Sequence, residues 1–216
     1  RDYSSHPSGC YAFAPSFPDE MLIDEAEWPE RLAEQQAKKA SLFDLREANY
    51  DVLKSLNQNG FGLCWSFSTT KSNMYIRVIM NQPAVVLSPW WVAGKVKRWR
   101  DQGGWNGESL EQIVKFGVPR MDMCPSYSSS YDTPETREDA TKYKITEWWD
   151  GSQDKDRNRR IMVSAFLLGL PPVHDYNDIA HSMCGCRLVS LKPLTWDDDN
   201  SWGESSGNKG LYRLEG

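Results

Sequence analysis

The order of predicted elements along the chain indicates an α+β fold. Helical periodicity dominates residues 64–116, and strand-like segments follow at residues 182–190 and 210–214. Helices first and strands afterwards differ from the alternation that builds a parallel sheet. We therefore expect two lobes, a helical one over residues 55–125 and a strand-rich one over residues 126–216 plus 41–54.

Residues 1–40 form an N-terminal extension to these lobes. Scattered proline and glycine residues without a sustained period predict an extended arm over residues 1–23. The acidic residues 24–27, Pro29 and an apolar side with Leu32 then predict a helix. This helix is expected to brace the domain, and docking of the extension onto a protein partner is the alternative.

The remaining segments are assigned in order along the chain. A short strand is predicted over residues 42–46, and a long helix begins at Cys64 and ends near Pro83. Two more helices are predicted over residues 89–100 and 107–116, and Gly117 ends the second of them. Residues 126–139 resemble a polar loop and residues 150–160 a charged turn, whereas residues 161–170 fit a helix or a strand equally well.

Composition excludes several classes of protein. Of the 216 residues, 39% are hydrophobic and 25% are charged, so a packed core is possible and a disordered chain is not expected. A net charge of −5 without a basic stripe predicts no nucleic-acid partner. The longest apolar run, residues 161–170, is about half of the roughly 20 residues that a membrane span needs, so no span is expected.

The cysteine pattern predicts free thiols. The chain has 5 cysteines at irregular spacing, and an odd number argues against a disulfide framework. A reducing intracellular compartment or an assembled particle is therefore favoured over secretion. Cys184 and Cys186 point to the same side of a predicted strand, but no further ligands accompany them. We interpret both as core thiols and expect neither a metal nor a cofactor.

Cys64 is the candidate nucleophile because it follows a glycine-containing turn and opens the long helix. The N-terminal end of a helix stabilises a thiolate relative to a thiol. Such a thiolate needs an imidazole, and His6, His174 and His181 are the three histidines. His181 directly precedes a predicted strand, whereas the other two lie in the arm and in a predicted loop. Asn200 offers an amide oxygen that can orient the ring, but spacing alone leaves this assignment open.

Several motifs, in the same order, resemble those of papain-type cysteine peptidases, and the resemblance covers residues 41–216. Residues 58–68 resemble the active-site segment, in which a glutamine stands six residues before the nucleophile. Residues 44–46 resemble the start of the mature chain, and residues 104–107 a glycine-rich segment beside the cleft. Residues 180–182 resemble the strand with the catalytic histidine, and residues 200–203 the Asn-Ser-Trp-Gly segment.

This resemblance implies a papain-like two-lobe fold, with a β-barrel-like strand-rich lobe and an active-site cleft between the lobes. It implies a thiol protease that hydrolyses peptides or proteins through a thioester. Cys64 would be the nucleophile, resting as a thiolate beside a His181 imidazolium, and Asn200 would orient that ring. Trp202 would shield the bond between His181 and Asn200, and Gln58 would complete an oxyanion hole. Leu63, Trp65, Asn106, Gly107 and Glu108 are predicted to contact the substrate.

The chain departs from the family at several positions. Phe61 and Trp105 stand where the family has a disulfide, and we expect the two rings to pack against each other. Leu63 replaces a small residue and is expected to narrow the cleft. Glu108 replaces a glycine, and either favours basic substrates or is a solvent-facing residue at the N-terminus of a helix. The acidic run 197–199 either favours the charged form of His181 or forms a solvated turn.

These departures keep two alternatives open. The first is a structural or interaction protein with this fold and little turnover, in an assembly such as a virion. The second is a hydrolase of cell-wall peptides or isopeptide bonds. The complete set of Cys64, His181 and Asn200 favours a peptidase over both.

Overall fold

Helices fill the first three quarters of the chain, and the strands follow. The computed structural model describes residues 15–151, 153–176 and 180–216. Its helices are α1 (Trp28–Lys38), α2 (Leu42–Ala48), α3 (Tyr50–Leu53), α4 (Cys64–Ile79), α5 (Pro89–Lys97), α6 (Asn106–Phe116), α7 (Pro134–Ala140) and α8 (Lys155–Leu167). Its strands are β1 (Val173–Tyr176), β2 (His181–Leu191), β3 (Leu194–Asp199) and β4 (Leu211–Glu215). The predicted α+β class is confirmed.

The three helices α4, α5 and α6 lie where their apolar periodicity predicts them. Helix α5 starts with Pro89, which suits a first turn, and α6 ends at Gly117, whose φ of 82° is left-handed. The three helices pack on one another. The side chains of Trp65, Phe67 and Met74 from α4 are buried in the shared core. Helix α4 is therefore held firmly, and its first residue is Cys64.

Residues 42–46 form the start of α2, so the predicted strand is wrong. The Ser41 hydroxyl accepts a hydrogen bond from the Asp44 backbone N–H at 3.3 Å, and the Asp44 carboxylate accepts one from the Ser41 N–H at 3.0 Å. This capping box pairs two donors that a helix leaves free at its N-terminus. The capping box therefore stabilises a helix at residues 42–46, where the short apolar run has no clear period.

Two further helices lie in segments that were predicted to be loops. Thr133 caps α7 within the predicted polar loop, and Asp154 caps α8 within the predicted charged turn, where its carboxylate accepts from the Arg157 N–H at 2.8 Å. Residues 161–167 are the second half of α8, which decides their open assignment in favour of a helix. No helix in the described ranges is long and apolar enough to cross a membrane.

The four strands form one antiparallel sheet in the order β1-β2-β3-β4. Strand β2 is buried from His181 to Cys186, because α4 and α8 both pack against it. Strand β1 carries His174, which was predicted to lie in a loop. Strand β3 ends with residues 197–199, which were predicted to be a solvated turn or to act on His181. All three of these carboxylate side chains are instead buried.

Helix α1 braces the sheet. Trp28 and Leu32 share a buried cluster with side chains from α8, β2 and β3: Val163, Phe166, Leu188 and Trp196. The Gln35 side-chain amide donates to the Phe166 carbonyl oxygen at 2.8 Å, which fixes the helix against α8. The prediction that the helix is a brace thus fits the structure. The extended arm and His6 fall on residues 1–14, outside the described residues.

We expect Trp28→Ala to lower the free energy of unfolding by about 3 kcal/mol, because the substitution leaves a cavity in this cluster. Urea unfolding followed by circular dichroism measures the loss. Glu30→Ala, on the exposed side of the same helix, serves as the matched control and should change the free energy by less than about 0.5 kcal/mol. Equal effects of the two substitutions would contradict the bracing role of α1.

Candidate active site

The loop before α4 presents Cys64 at the start of the helix. Asn59 and Gly60 have φ values of 49° and 80°, which produce the tight turn of this loop. The Gly62 backbone N–H donates to the Asp101 carboxylate at 2.9 Å and so ties the loop to the segment before α6. Cys64 is partly exposed and is the first residue of α4, so its thiol lies at the positive end of the helix dipole.

Opposing influences act on the Cys64 thiol. Burial raises its pKa, and the negative charge of Asp175 acts in the same direction. The backbone N–H groups of Ser182 and Trp65 lower the pKa, because they bond to the thiolate. Ser182 follows His181 directly on β2, so the contact with its N–H places the thiol beside the strand that carries the histidine.

His181, Asn200 and Trp202 form one assembly at the other side of the site. The His181 Nε2 atom lies 2.7 Å from the Asn200 Oδ1 atom. The Trp202 indole stacks on the imidazole with ring centroids 4.6 Å apart and an interplanar angle of 26°. His181 and Asn200 are buried, whereas Trp202 is 42% exposed and covers them. Because Asn200 Oδ1 accepts a hydrogen bond from the Nε2–H group, the Nδ1 atom of His181 is left available to the thiol.

Burial lowers the pKa of His181, and the hydrogen bond to Asn200 raises it. Burial therefore disfavours charge on the imidazole as it does on the Cys64 thiol. A thiolate and an imidazolium would persist here only together, because each charge stabilises the other. The predicted resting ion pair thus depends on both partners, because burial opposes each charge more strongly than the surrounding hydrogen bonds favour it.

Gln58 links the loop of the nucleophile to the segment that carries Asn200. Its backbone N–H donates to the Ser201 carbonyl oxygen at 2.8 Å, and its side-chain carbonyl accepts from the Ser201 hydroxyl. The Gln58 side-chain amide donates to the Phe61 carbonyl oxygen at 2.5 Å. A primary amide has two N–H donors, so one remains for a substrate oxygen.

Leu63 and Trp65 flank Cys64 in the sequence but turn into the core. Leu63 is 0% exposed and Trp65 is 2% exposed. The expected narrowing of the cleft by Leu63, and substrate contacts of both side chains, are therefore wrong. Consecutive residues of a helix point in different directions, which is why only Cys64 of the three reaches the surface of the site.

Glu108 has intramolecular partners at the start of α6. Its carboxylate accepts from the Trp105 N–H at 3.2 Å and forms an ion pair with Lys97 at 2.5 Å. Glu108 thus lies at a helix N-terminus, as one of the two interpretations expects, but it caps the helix and pairs with Lys97 instead of facing solvent alone. Gly107 lies within the first turn of the same helix, directly beside the Trp105 ring.

The expected contact between Phe61 and Trp105 is replaced by a different cluster. Within the described residues, the Phe61 ring packs at right angles on Trp90 and Tyr127, with centroids 5.6 and 5.4 Å away. Asp101, rather than Trp105, holds the loop of the nucleophile through Gly62. A hydrogen bond and an aromatic cluster thus tie these two segments together.

Asn106 belongs to a polar network that the sequence pattern did not reveal. Its side-chain amide donates to the Asp175 carboxylate at 2.6 Å, and its carbonyl accepts from the Ser182 hydroxyl at 3.0 Å. The Ser182 hydroxyl also lies 2.8 Å from that of Ser68. The antiparallel register, which pairs Asp175 with Ser182, brings the carboxylate to the site. A prediction of strand β1 and its pairing with β2 would have placed Asp175 at the site.

The remaining titratable candidates lie away from the thiol. His174 contacts the rings of Phe166, Tyr176 and Trp196 on the sheet. Cys184 and Cys186 are fully buried, which fits the interpretation of core thiols, and the described cysteines are all free. Cys10 lies outside the described residues. The described part of the chain contains no cluster of three or more side chains suited to a metal ion.

Solved structures of cysteine proteases share this fold. A cysteine protease of Xylella fastidiosa, xylellain, aligns with 74% of this chain and 75% of its own at 16% identity and a TM-score of 0.61. A digestive procathepsin L of the Tenebrio molitor larval midgut aligns with 75% of this chain and 60% of its own, at 17% identity and a TM-score of 0.61. A recombinant stem bromelain precursor aligns with 96% of this chain and 70% of its own, at 21% identity and a TM-score of 0.65.

The sequence alone gives no comparable match. No family model matches it, and no curated protein does. Only 60% of the procathepsin chain is spanned by the match. At 16–21% identity the likeness concerns the fold, and any activity has to be argued from the residues of this chain.

Proposed function

We propose that this chain, which has the papain-like fold, is a cysteine endopeptidase that hydrolyses peptide bonds through Cys64, His181 and Asn200. The observation that carries the proposal is the 2.7 Å contact between His181 and Asn200 under the Trp202 ring, on a strand whose next residue, Ser182, bonds the Cys64 thiol through its backbone N–H. A nucleophile, a base and a group that orients the base are the parts that acyl transfer needs.

The proposed reaction starts with transfer of the Cys64 proton to the Nδ1 atom of His181. The thiolate attacks the carbonyl carbon of the scissile bond, and the carbonyl oxygen becomes an oxyanion. The Cys64 backbone N–H and the second N–H of the Gln58 amide stabilise this oxyanion. The His181 imidazolium then gives its proton to the amine, the carbon–nitrogen bond breaks, and a thioester remains.

Water completes the cycle. His181, neutral again, takes a proton from a water molecule, which attacks the thioester carbonyl. The carbon–sulfur bond breaks, the product leaves as a carboxylic acid, and the proton returns to the thiolate. Asn200 holds one orientation of the imidazole throughout, and the Trp202 ring keeps water from their hydrogen bond.

Leu63 and Glu108, which suggested a protein with little turnover, do not support that alternative in the structure. Leu63 is buried and does not obstruct the thiol, and Glu108 is paired with Lys97. A peptidase therefore accounts for the site better than a purely structural role, and no observation specifically favours cell-wall peptides or isopeptides as substrates.

The proposal predicts that the reduced protein cleaves peptides and that Cys64→Ala lowers kcat/KM by at least about 10³-fold. A mixture-based library of internally quenched peptides measures the activity without a choice of sequence. Cys124→Ala, which removes a buried thiol outside the site, is the matched control and should retain activity. Cleavage that survives Cys64→Ala, or a wild-type protein that cleaves no member of the library, would overturn the proposal.

A further inference from the structure

Four elements of the fold bring polar side chains together beside Cys64. Ser68 comes from α4, Asn106 from the start of α6, Asp175 from β1 and Ser182 from β2. Asn106 is the centre of this group, because its amide donates to Asp175 and its carbonyl accepts from Ser182. Ser68, Asn106 and Ser182 are buried, whereas Asp175 is exposed, so the Asp175 carboxylate is the member of this group that a substrate side chain can meet.

The Asp175 carboxylate has no cationic partner in the described part of the chain. It is exposed, and it lies close enough to Cys64 to raise the pKa of the thiol. One of its oxygens accepts from Asn106, which is a neutral donor. In the described ranges no lysine, arginine or histidine forms an ion pair with it. The nearby pair of Lys97 and Glu108 is already neutral as a pair.

A neutral acceptor would satisfy the Asn106 amide equally well, so the hydrogen bond alone does not require a negative charge at residue 175. Such a charge also works against the chemistry, since it raises the pKa of the nucleophile. A carboxylate in this position gains a favourable role when a cationic group of the substrate lies against it. Charge complementarity of this kind selects one partner and rejects another of opposite sign.

We propose that Asp175 makes the site select substrates with a lysine or arginine side chain next to the scissile bond. This inference rests on the proposed endopeptidase function and adds the class of substrate. The ammonium or guanidinium group lies against the Asp175 carboxylate, and Asn106 holds the carboxylate in place. Peptides with glutamate or aspartate at the same position are rejected, because two like charges would meet.

A first test measures the field at Cys64 without any peptide. The rates at which 2-aminoethyl methanethiosulfonate, a cation, and 2-sulfonatoethyl methanethiosulfonate, an anion, modify Cys64 are compared by mass spectrometry. In each reaction the thiolate forms a disulfide with the reagent and methanesulfinate leaves. The ratio of the cation's rate to the anion's rate should be about tenfold higher in the wild type than in Asp175→Asn, because the variant lacks one elementary charge close to the thiol.

Two further variants control this test. Asp175→Glu keeps the charge and should keep most of the preference, whereas Asp156→Asn removes an exposed carboxylate from α8 and should leave the ratio unchanged. Equal reagent ratios in the wild type and Asp175→Asn would overturn the inference, and the proposed hydrolysis would remain unaffected.

A second test compares internally quenched peptides that carry lysine, leucine or glutamate at each of the two positions before the scissile bond. We expect kcat/KM to favour lysine over glutamate by at least about tenfold in the wild type and to lose this preference in Asp175→Asn. Hydrolysis without a charge preference would overturn the role of Asp175 alone. A reagent preference at Cys64 without hydrolysis of any peptide would overturn the proposed function and the substrate class with it.

Discussion

His181→Ala is expected to raise the pH at which Cys64 reacts with iodoacetamide by two units or more and to lower kcat/KM for peptides by at least about 10³-fold. In the wild type the imidazolium stabilises the thiolate, so alkylation should be fast well below pH 8.5, the ordinary pKa of a thiol. Without the imidazole, burial and Asp175 raise the pKa of Cys64, and the backbone N–H groups of Ser182 and Trp65 offset this only in part. A raised pKa leaves less thiolate at a given pH, so the reaction moves to higher pH. Peptide mapping by mass spectrometry gives the rate at each pH.

The protein provides controls for this measurement. Burial raises the pKa of Cys124 to about 11, so this thiol should remain unmodified until strongly alkaline pH in the wild type and in the variant. His174→Gln removes the other described histidine, which contacts rings on the sheet, and should leave the pH profile of Cys64 unchanged. A profile of Cys64 that is the same with and without His181 would show that no thiolate–imidazolium pair forms.

The central part of the site could be predicted because its signals are local in the sequence. A glycine-containing turn followed by a long apolar period places Cys64 at the start of a helix, and the segments around His181 and Asn200 carry specific short motifs. The structure brings His181, Asn200 and Trp202 together as the resemblance implied. That these residues perform catalysis remains a prediction, which the alkylation and hydrolysis experiments test.

Other features escaped prediction because their partners are distant in the sequence. The run 197–199 has the composition of a turn, yet each carboxylate receives partners from elsewhere in the chain. Asp197 pairs with Arg187 and Arg213, and Asp198 accepts from the Tyr176 hydroxyl at 2.8 Å. A buried strand with this sequence is stable only when the fold supplies partners for its carboxylates, and the local sequence does not predict those partners.

Asp199 is the one of the three that contacts two buried cations. Its carboxylate lies 3.3 Å from the Arg46 guanidinium and 3.4 Å from the Lys71 ammonium, and each of these side chains is at most 4% exposed. Lys71 also donates to the backbone oxygens of Leu53 and Lys54 at 2.8 and 2.7 Å. Burial lowers the pKa of Lys71, so its positive charge depends on the opposite charge of Asp199.

This buried cluster joins the two halves of the candidate site. Lys71 lies about two helical turns beyond Cys64 on α4, and Asp199 immediately precedes Asn200. The ion pair between them therefore fixes the helix of the nucleophile to the strand end that orients His181. Arg46 of α2 contacts the same carboxylate. The motif at residues 44–46 therefore supports the site through Asp199, although it lies outside the site.

Asp199→Asn is expected to lower the free energy of unfolding by about 3–5 kcal/mol, because the buried Lys71 loses its counter-charge and the buried Arg46 keeps only Glu47. Urea unfolding measures this loss, and Arg213→Ala is the control. The Arg213 side chain is 56% exposed, and Asp197 keeps its ion pair with Arg187, so the removal of Arg213 should cost less than about 1 kcal/mol. If the cluster also positions Asn200, the folded Asp199→Asn protein will show a lower kcat with little change in KM.

A double substitution tests the contact itself. Lys71→Met should lower the free energy of unfolding less in the Asp199→Asn background than in the wild type, because both substitutions break the same contact. Fully additive effects would mean that the two residues stabilise the protein independently and that the helix and the strand are joined elsewhere.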